Sequence, residues 1–166
     1  MAVNGKQKGN RFERDIANML SSRFEEHTGK TQSFRRNADS GSFWGGKNKE
    51  RKETHDTDYA VYGDLICPKT FKFTVECKNY KTPPSMMSFI SQDIKEWDKW
   101  ISQAEQDATE CDKDYILVMK YNRVDIFCIL DGKFEEKVAK KMIGRYYSNI
   151  LVRLDALLEL ETEFFF

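Results

Sequence analysis

The sequence lacks the features of a membrane, secreted or zinc-binding protein. It contains no run of about 18 apolar residues, so a membrane-spanning helix is not expected. The opening segment MAVNGKQKGNRFERD lacks the apolar stretch of a signal peptide, and we therefore expect a cytoplasmic protein. The four cysteines form no CxxC pair, and the two histidines are not spaced as zinc ligands. Reduced, buried thiols are expected instead, because Cys77 and Cys128 lie in predicted strands and Cys67 directly follows one.

The chain also lacks a net charge, but its charges are unevenly spread. It has 166 residues, of which 40% are hydrophobic and 33% charged, which is typical of one globular domain. Residues 1–53 carry 12 Lys/Arg against 7 Asp/Glu, whereas the remainder carries 15 against 20. This asymmetry indicates an anionic partner for the N-terminal part.

The order of predicted elements indicates an α/β protein. Apolar residues at helical spacing predict helices, listed here in chain order: 10–27, 92–110, 134–143 and 149–161. Alternating or continuous apolar runs predict strands at 31–36, 59–66, 71–78, 115–121 and 124–130. Residues 37–58 are predicted to form a long polar loop, basic over 47–52, which in a compact domain is usually functional or mobile. We expect a mixed sheet flanked by helices within one domain over 1–166, with 131–166 as a C-terminal helical extension.

Two acids and a lysine are predicted to meet on neighbouring strands. Glu76 and Lys78 stand two residues apart in FTVECKNYK and so share one strand face. A hairpin of 59–66 with 71–78 would bring Asp64 close to Glu76. Clustered carboxylates repel each other unless a cation neutralises them, and Mg²⁺ typically takes one or two carboxylates. Lys78 could then orient or deprotonate a water on the ion, which is a layout for phosphodiester hydrolysis. The alternative is an ordinary ion pair on a strand face, and the spacing leaves both open.

The motifs GDLI and VECK together resemble the PD-(D/E)xK nuclease signature. The segments KGNRFERDIANML, RRNADSGSFWGG and YILVMKYNRVDIF are similar to those of archaeal-type Holliday-junction resolvases. This resemblance covers roughly residues 8–130, and the order E…R…SG…D…ExK carries it. It implies a restriction-endonuclease-like fold with a mixed central sheet flanked by helices.

The resemblance also implies roles for individual residues. Asp64 and Glu76 would be metal ligands, Glu13 a helical carboxylate that supports the metal site, and Lys78 the catalytic lysine. Ser40 would lie near the scissile phosphate. In several PD-(D/E)xK enzymes a glutamine on the helix after the ExK strand supports the site, and Gln103 matches it, although a solvent-facing glutamine is the alternative.

The sequence departs from the family pattern in two places. Gly63 stands where a proline usually precedes the first aspartate. The loop before Asp64 is longer than in the family and contains Asp56 and Asp58, either of which could be a further metal ligand or a solvated charge.

Basic and aromatic residues of the N-terminal part are candidates for DNA binding. Cations there could follow phosphates, with solvated surface charge as the alternative. Phe43 and Trp44 could stack on an opened junction or pack against the domain. The candidate cations are Lys6, Lys8, Arg11, Arg14, Arg35, Arg36, Lys47, Lys49, Arg51 and Lys52.

The sequence is therefore interpreted as a Mg²⁺-dependent DNA endonuclease that resolves four-way junctions, with Mn²⁺ able to substitute. Because a junction has two symmetry-related strands to cut, a homodimer is expected. The alternatives are a PD-(D/E)xK nuclease for duplex, flap or damaged DNA, and a non-catalytic nucleic-acid-binding protein. The C-terminal segment LLELETEFFF could dock on the fold, on a dimer partner or on another protein.

Overall fold

A computed structural model describes residues 5–37, 59–60 and 62–166. Its helices are α1 (Gly5–Arg23), α2 (Glu25–Thr28), α3 (Met86–Ile90), α4 (Lys95–Glu110), α5 (Glu135–Val138), α6 (Leu154–Leu158) and α7 (Thr162–Phe165). Its strands are β1 (Arg35–Arg36), β2 (Tyr59–Ala60), β3 (Leu65–Pro68), β4 (Phe73–Tyr80), β5 (Asp114–Tyr121), β6 (Phe127–Leu130), β7 (Met142–Tyr146) and β8 (Asn149–Arg153). Short 3₁₀ helices at Gly132–Phe134 and Ala139–Lys141 flank α5.

A mixed sheet forms the centre of the described part of the chain. Its five strands lie in the order β4-β5-β6-β8-β7. β4 and β5 run parallel, as a crossover through α4 requires, and the other neighbours are antiparallel. The prediction of an α/β protein with a mixed sheet flanked by helices is therefore confirmed.

Both faces of this sheet are covered, so its inner strands β5, β6 and β8 are buried over most of their length. Along β5, Ile116 and Val118 pack into the core beside α1, whereas Leu117 and Met119 pack into the core beside α4. Phe73–Cys77 of β4 is buried on both faces, although apolar and polar residues alternate along it. None of the helices in the described part of the chain has the length and apolar character needed to cross a bilayer.

None of the four cysteines forms a disulfide, and three of them are buried as expected. Cys67, Cys77 and Cys128 are buried, and Cys111 is partly exposed at the end of α4. Burial raises the pKa of the Cys67 thiol to about 12. It also raises the pKa of Cys77 well above the usual thiol value. Such thiols remain protonated and unreactive at neutral pH.

The C-terminal part differs most from expectation. Residues 131–166 are not a helical extension: helical turns do occupy most of 134–143, but β8 stands where the helix over 149–161 was predicted to begin, and β7 and β8 complete the sheet. The run NILVR is apolar on both faces, which suits the strand between β6 and β7, and helix begins only at Leu154. The tail then folds back, and Phe164 and Phe165 are buried against Phe24 and Phe73. The C-terminal tail therefore docks on the fold of its own chain.

The predicted hairpin between 59–66 and 71–78 is also wrong. β3 pairs antiparallel with β1 on one side and with β2 on the other. The chain reverses between β2 and β3, and the residues just before β3 pair with β4 through a parallel bridge between Gly63 and Val75. This bridge, rather than a hairpin, brings Asp64 to β4.

Candidate active site at the free edge of strand β4

Asp64 is fixed by the outer edge of β4, the edge opposite its partner β5. Its backbone N–H donates to Val75 O at 2.9 Å, and its carboxylate Oδ2 accepts from the Cys77 N–H at 2.9 Å. One residue thus satisfies two backbone groups that a neighbouring strand would otherwise bond. Because Glu76 lies between Val75 and Cys77, this clamp places the two acidic residues side by side.

Gly63 makes the clamp possible. Its φ of +72° lies in the left-handed region, and a Cβ there would stand 2.7 Å from Val75 O. Asn37 holds the same turn from the other side: its side-chain amide donates to Gly63 O at 3.0 Å, and its backbone N–H donates to Asp64 O at 2.8 Å. The departure from the usual proline therefore has a structural reason, since proline cannot adopt this φ.

Glu76 is almost fully buried, with 3% of its surface exposed. Its Oε1 accepts from the Gln103 amide at 2.5 Å and lies 3.5 Å from Lys78 Nζ. Its Oε2 is buried and has no hydrogen-bond partner among the described residues. Since a buried unpaired carboxylate oxygen is costly, this atom is suited to hold a positively charged ligand.

Glu13 reaches the same site from α1. Its Oε2 accepts from Arg36 Nε at 2.5 Å, and Arg36 Nη2 also donates to Asn10 Oδ1 at 3.0 Å. The ion pair is mostly shielded, with 20% of the Arg36 side chain and 13% of the Glu13 side chain exposed. Arg36, considered a phosphate contact from the sequence, is thus held by α1 and orients Glu13.

Two carboxyl groups of the site, those of Glu76 and Glu13, resist ionisation. Burial raises the pKa of Glu76 well above its usual value, and the negative charge of Asp64 raises it further. The Lys78 ammonium opposes this shift without cancelling it. The pKa of Glu13 is also raised, first by burial and then by Asp64, against the opposing hydrogen bond from Arg36. Negative charge is therefore crowded here beyond what the two cations neutralise.

These residues fit a divalent cation. Within residues 5–37, 59–60 and 62–166, no group of three or more His, Cys, Asp or Glu side chains is arranged as a metal centre. The site offers instead two adjacent carboxyl groups, those of Asp64 and Glu76, and Oε2 of Glu76 has no hydrogen-bond partner within the described part of the chain. Mg²⁺ commonly uses one or two protein carboxylates and completes its shell with water and substrate phosphate. The donor set is thus of the kind and number that this ion accepts.

The sequence matches a family described as phage putative PDDEXK endonuclease over residues 4–162. The chain belongs to this family. Its sheet flanked by helices is consistent with the restriction-endonuclease-like fold of PD-(D/E)xK nucleases, a class that generally uses divalent metal ions. The match confirms the PD-(D/E)xK nuclease superfamily. It does not show that the chain is an archaeal-type Holliday-junction resolvase. No curated protein and no solved structure matches the chain significantly.

The other predicted DNA contacts fall into two groups. On the described surface, Lys6, Arg11, Arg14 and Arg35 are exposed, and the Lys8 ammonium donates to Asn122 Oδ1 at 3.2 Å. Several candidates lie outside the described residues: Ser40, Phe43, Trp44, Lys47, Lys49, Arg51, Lys52, Asp56 and Asp58.

The sequence analysis missed one residue of the site, Asn37. It is buried, with 3% of its surface exposed, and it holds the turn that carries Asp64. Its position after the two arginines of the RRN segment gave no signal of this role, because the role depends on a turn 26 residues later in the chain.

Proposed function

We propose that this PDDEXK endonuclease is a Mg²⁺-dependent DNA endonuclease that resolves four-way junctions by phosphodiester hydrolysis. The observation that carries the proposal is the buried Glu76 carboxyl, with one oxygen unpaired, beside Asp64 and 3.5 Å from the Lys78 ammonium. An ordinary surface ion pair would not bury its acid and leave an oxygen without a partner.

Each side chain of the site has a distinct task in this proposal. Asp64 and Glu76 would hold the ion, and Glu13 would buttress the site from α1. The ion, Mg²⁺ or in its place Mn²⁺, would stabilise negative charge on the phosphate and on the leaving oxygen. Lys78 would orient the attacking water and share in stabilising the phosphate charge. Gln103 keeps Glu76 Oε1 in place, so that Oε2 stays free for a ligand.

The choice of a four-way junction rests on the sequence order E…R…SG…D…ExK and its likeness to junction resolvases. A homodimer belongs to the same proposal, since two matched sites would cut the two symmetry-related strands of a junction. The proposal also includes a cytoplasmic location for the protein. Duplex, flap or damaged DNA are the alternative substrates, and the metal site described above would serve them equally.

A cleavage assay on DNA of several shapes tests the proposal. A synthetic four-way junction, a flap and a linear duplex of equal length are incubated with wild type and Glu76→Ala, with Mg²⁺, Mn²⁺ or EDTA. Paired symmetric nicks in the junction, lost with EDTA or with the substitution, are the expected result. Equal cutting of all shapes would retain the nuclease and refute junction selectivity. Binding without cutting under every condition would favour the non-catalytic nucleic-acid-binding protein.

A further inference from the structure

The face of β4 that carries Glu76 and Lys78 includes one more side chain after Lys78, that of Tyr80. Side chains two residues apart on a strand share a face, so Tyr80 follows Glu76 and Lys78 in one row. At about 3.3 Å per residue, successive members of this row stand about 7 Å apart along the strand. Tyr80 is therefore the next side chain that a DNA strand would meet after the lysine.

The Tyr80 ring is held in place and yet open to solvent. It packs on Trp100 with ring centroids 4.6 Å apart and an interplanar angle of 32°. Trp100 is 7% exposed, whereas Tyr80 is 47% exposed. Trp100 lies three residues before Gln103 on α4, so one helix supports both the aromatic pair and Glu76. Tyr80 therefore has a fixed position relative to the candidate active site.

Three basic residues, Lys8, Lys81 and Arg123, lie near this end of the strand. Lys81 directly follows β4, and its carbonyl accepts from the Asn122 N–H at 3.4 Å. Asn122 in turn accepts from the Lys8 ammonium, and Arg123 lies next to it in the exposed turn between β5 and β6. These cations would attract phosphates to the flank of the aromatic ring.

A cleft of about 270 Å³ opens beside the ring. Pro83, Pro84 and Ile94 give it apolar walls, while Thr82 and Glu96 contribute polar groups. Flat apolar surface next to a few polar groups suits a nucleobase, which stacks through its face and hydrogen-bonds through its edge.

We propose that Tyr80, backed by Trp100, stacks on an unpaired base of the DNA strand that is cut, adjacent to the cleaved phosphate. The proposal rests on the nuclease function proposed above and adds a requirement to it. A base can reach the ring only after leaving its own stack, so the enzyme favours DNA with an unstacked nucleotide beside the cut. Base-to-aromatic stacking tolerates any sequence, since every base has a flat face.

The test combines protein and DNA changes. Affinity for a four-way junction is measured in EDTA by fluorescence anisotropy, for wild type, Tyr80→Leu and Tyr80→Phe. The DNA carries either a full set of bases or a single abasic site, moved one position at a time across the cleavage point. Tyr147→Leu is the matched control, because Tyr147 is also exposed, packs on a buried Tyr146 and lies beside β7 at the opposite edge of the sheet.

We expect Tyr80→Leu to weaken binding about tenfold, and Tyr80→Phe and Tyr147→Leu to leave it unchanged. One abasic position should weaken wild-type binding by the same factor and have no effect on Tyr80→Leu. Equal abasic penalties in wild type and Tyr80→Leu, or a loss in Tyr80→Phe as large as in Tyr80→Leu, would overturn the proposal. Thermal melting confirms that the variants are folded.

Failure of the nuclease function gives a different result. If wild type binds DNA and shows the abasic pattern, yet does not cut with Mg²⁺, the stacking site stands and the catalytic proposal fails. If wild type cuts DNA and Tyr80→Leu binds as wild type does, the stacking site fails and the catalytic proposal stands.

Discussion

Alanine at position 63 should disable the candidate active site through the backbone alone. Gly63 combines a φ of +72° with a close approach in which a Cβ would stand 2.7 Å from Val75 O and 3.2 Å from Val75 C. Backbone atoms of β4, which is paired with β5 along its whole length, cannot move aside as a flexible side chain would. The turn must therefore leave β4 and take Asp64 with it.

The magnitude follows from two contributions. The left-handed conformation costs a residue with a Cβ about 1–2 kcal/mol. Displacing the turn also breaks the hydrogen bonds from Asp64 N–H to Val75 O and from Cys77 N–H to Asp64 Oδ2, at about 0.5–1.5 kcal/mol each. Together Gly63→Ala should lower the free energy of unfolding by about 2–5 kcal/mol.

Gly29→Ala is the matched control for this experiment. Gly29 has a similar φ of +65°, but nothing lies within 4 Å of the position of its Cβ. This variant should lose only the conformational part, about 1–2 kcal/mol, and should cut DNA as wild type does. Gly63→Pro adds a sharper comparison: it restores the usual family motif, yet it should be at least as damaging, because proline cannot adopt a positive φ.

Urea unfolding and Mg²⁺-dependent DNA cleavage are measured for all three variants. We expect Gly63→Ala and Gly63→Pro to lose cleavage while they remain folded at low urea. If Gly63→Ala matched Gly29→Ala in stability and retained full cleavage, the close approach to β4 would not be a constraint and the reasoning would be refuted.

Three further predictions concern charge, thiols and packing. Glu76→Gln should raise the melting temperature in EDTA at neutral pH, because burial and Asp64 raise the pKa of Glu76 and disfavour its ionised form. The stabilising effect of protonated Glu76 is complete below the ordinary Glu pKa of about 4.3, and it is lost as pH rises towards the raised pKa of the folded protein. The difference in melting temperature between Glu76→Gln and wild type should therefore grow with pH. An advantage that shrinks with pH would contradict this. Under native conditions iodoacetamide should modify Cys111 alone, as mass spectrometry can check; rapid modification of a buried cysteine would refute the burial of the core thiols. Phe165→Ala should cost about 3–5 kcal/mol in urea unfolding, since Phe165 is fully buried, whereas Met86→Ala, at a residue 72% exposed, should change stability by less than about 0.5 kcal/mol.

The sequence was informative where local pattern and final environment agree. α1 and α4 follow from apolar residues at helical spacing, and β5 and β6 from continuous apolar runs. The signature residues could be singled out because a carboxylate and an ammonium are unusual in an apolar strand. In the structure Asp64 and Glu76 lie next to each other, as expected, although the hairpin that suggested it does not form.

What the sequence could not supply depends on contacts between distant segments. The run of β8 is apolar on all sides, and only its place between two other strands distinguishes it from a buried helix. The role of Asn37 depends on Gly63, and the pairing of Arg36 with Glu13 joins a strand to a helix. Burial of Phe165 likewise requires the tail to return to α1, which no local pattern encodes.

The central claim is that the unpaired oxygen of Glu76 serves a metal ion in DNA cleavage. The most direct test is the single-turnover cleavage rate of a four-way junction with Mg²⁺, compared between wild type and Glu76→Gln at equal concentrations of folded protein. Glutamine keeps the size of the side chain and its contact with Gln103 while it removes the charge that would bind the ion. We expect wild type to cut and Glu76→Gln to fall to the background seen with EDTA. Undiminished cleavage by Glu76→Gln would contradict the claim.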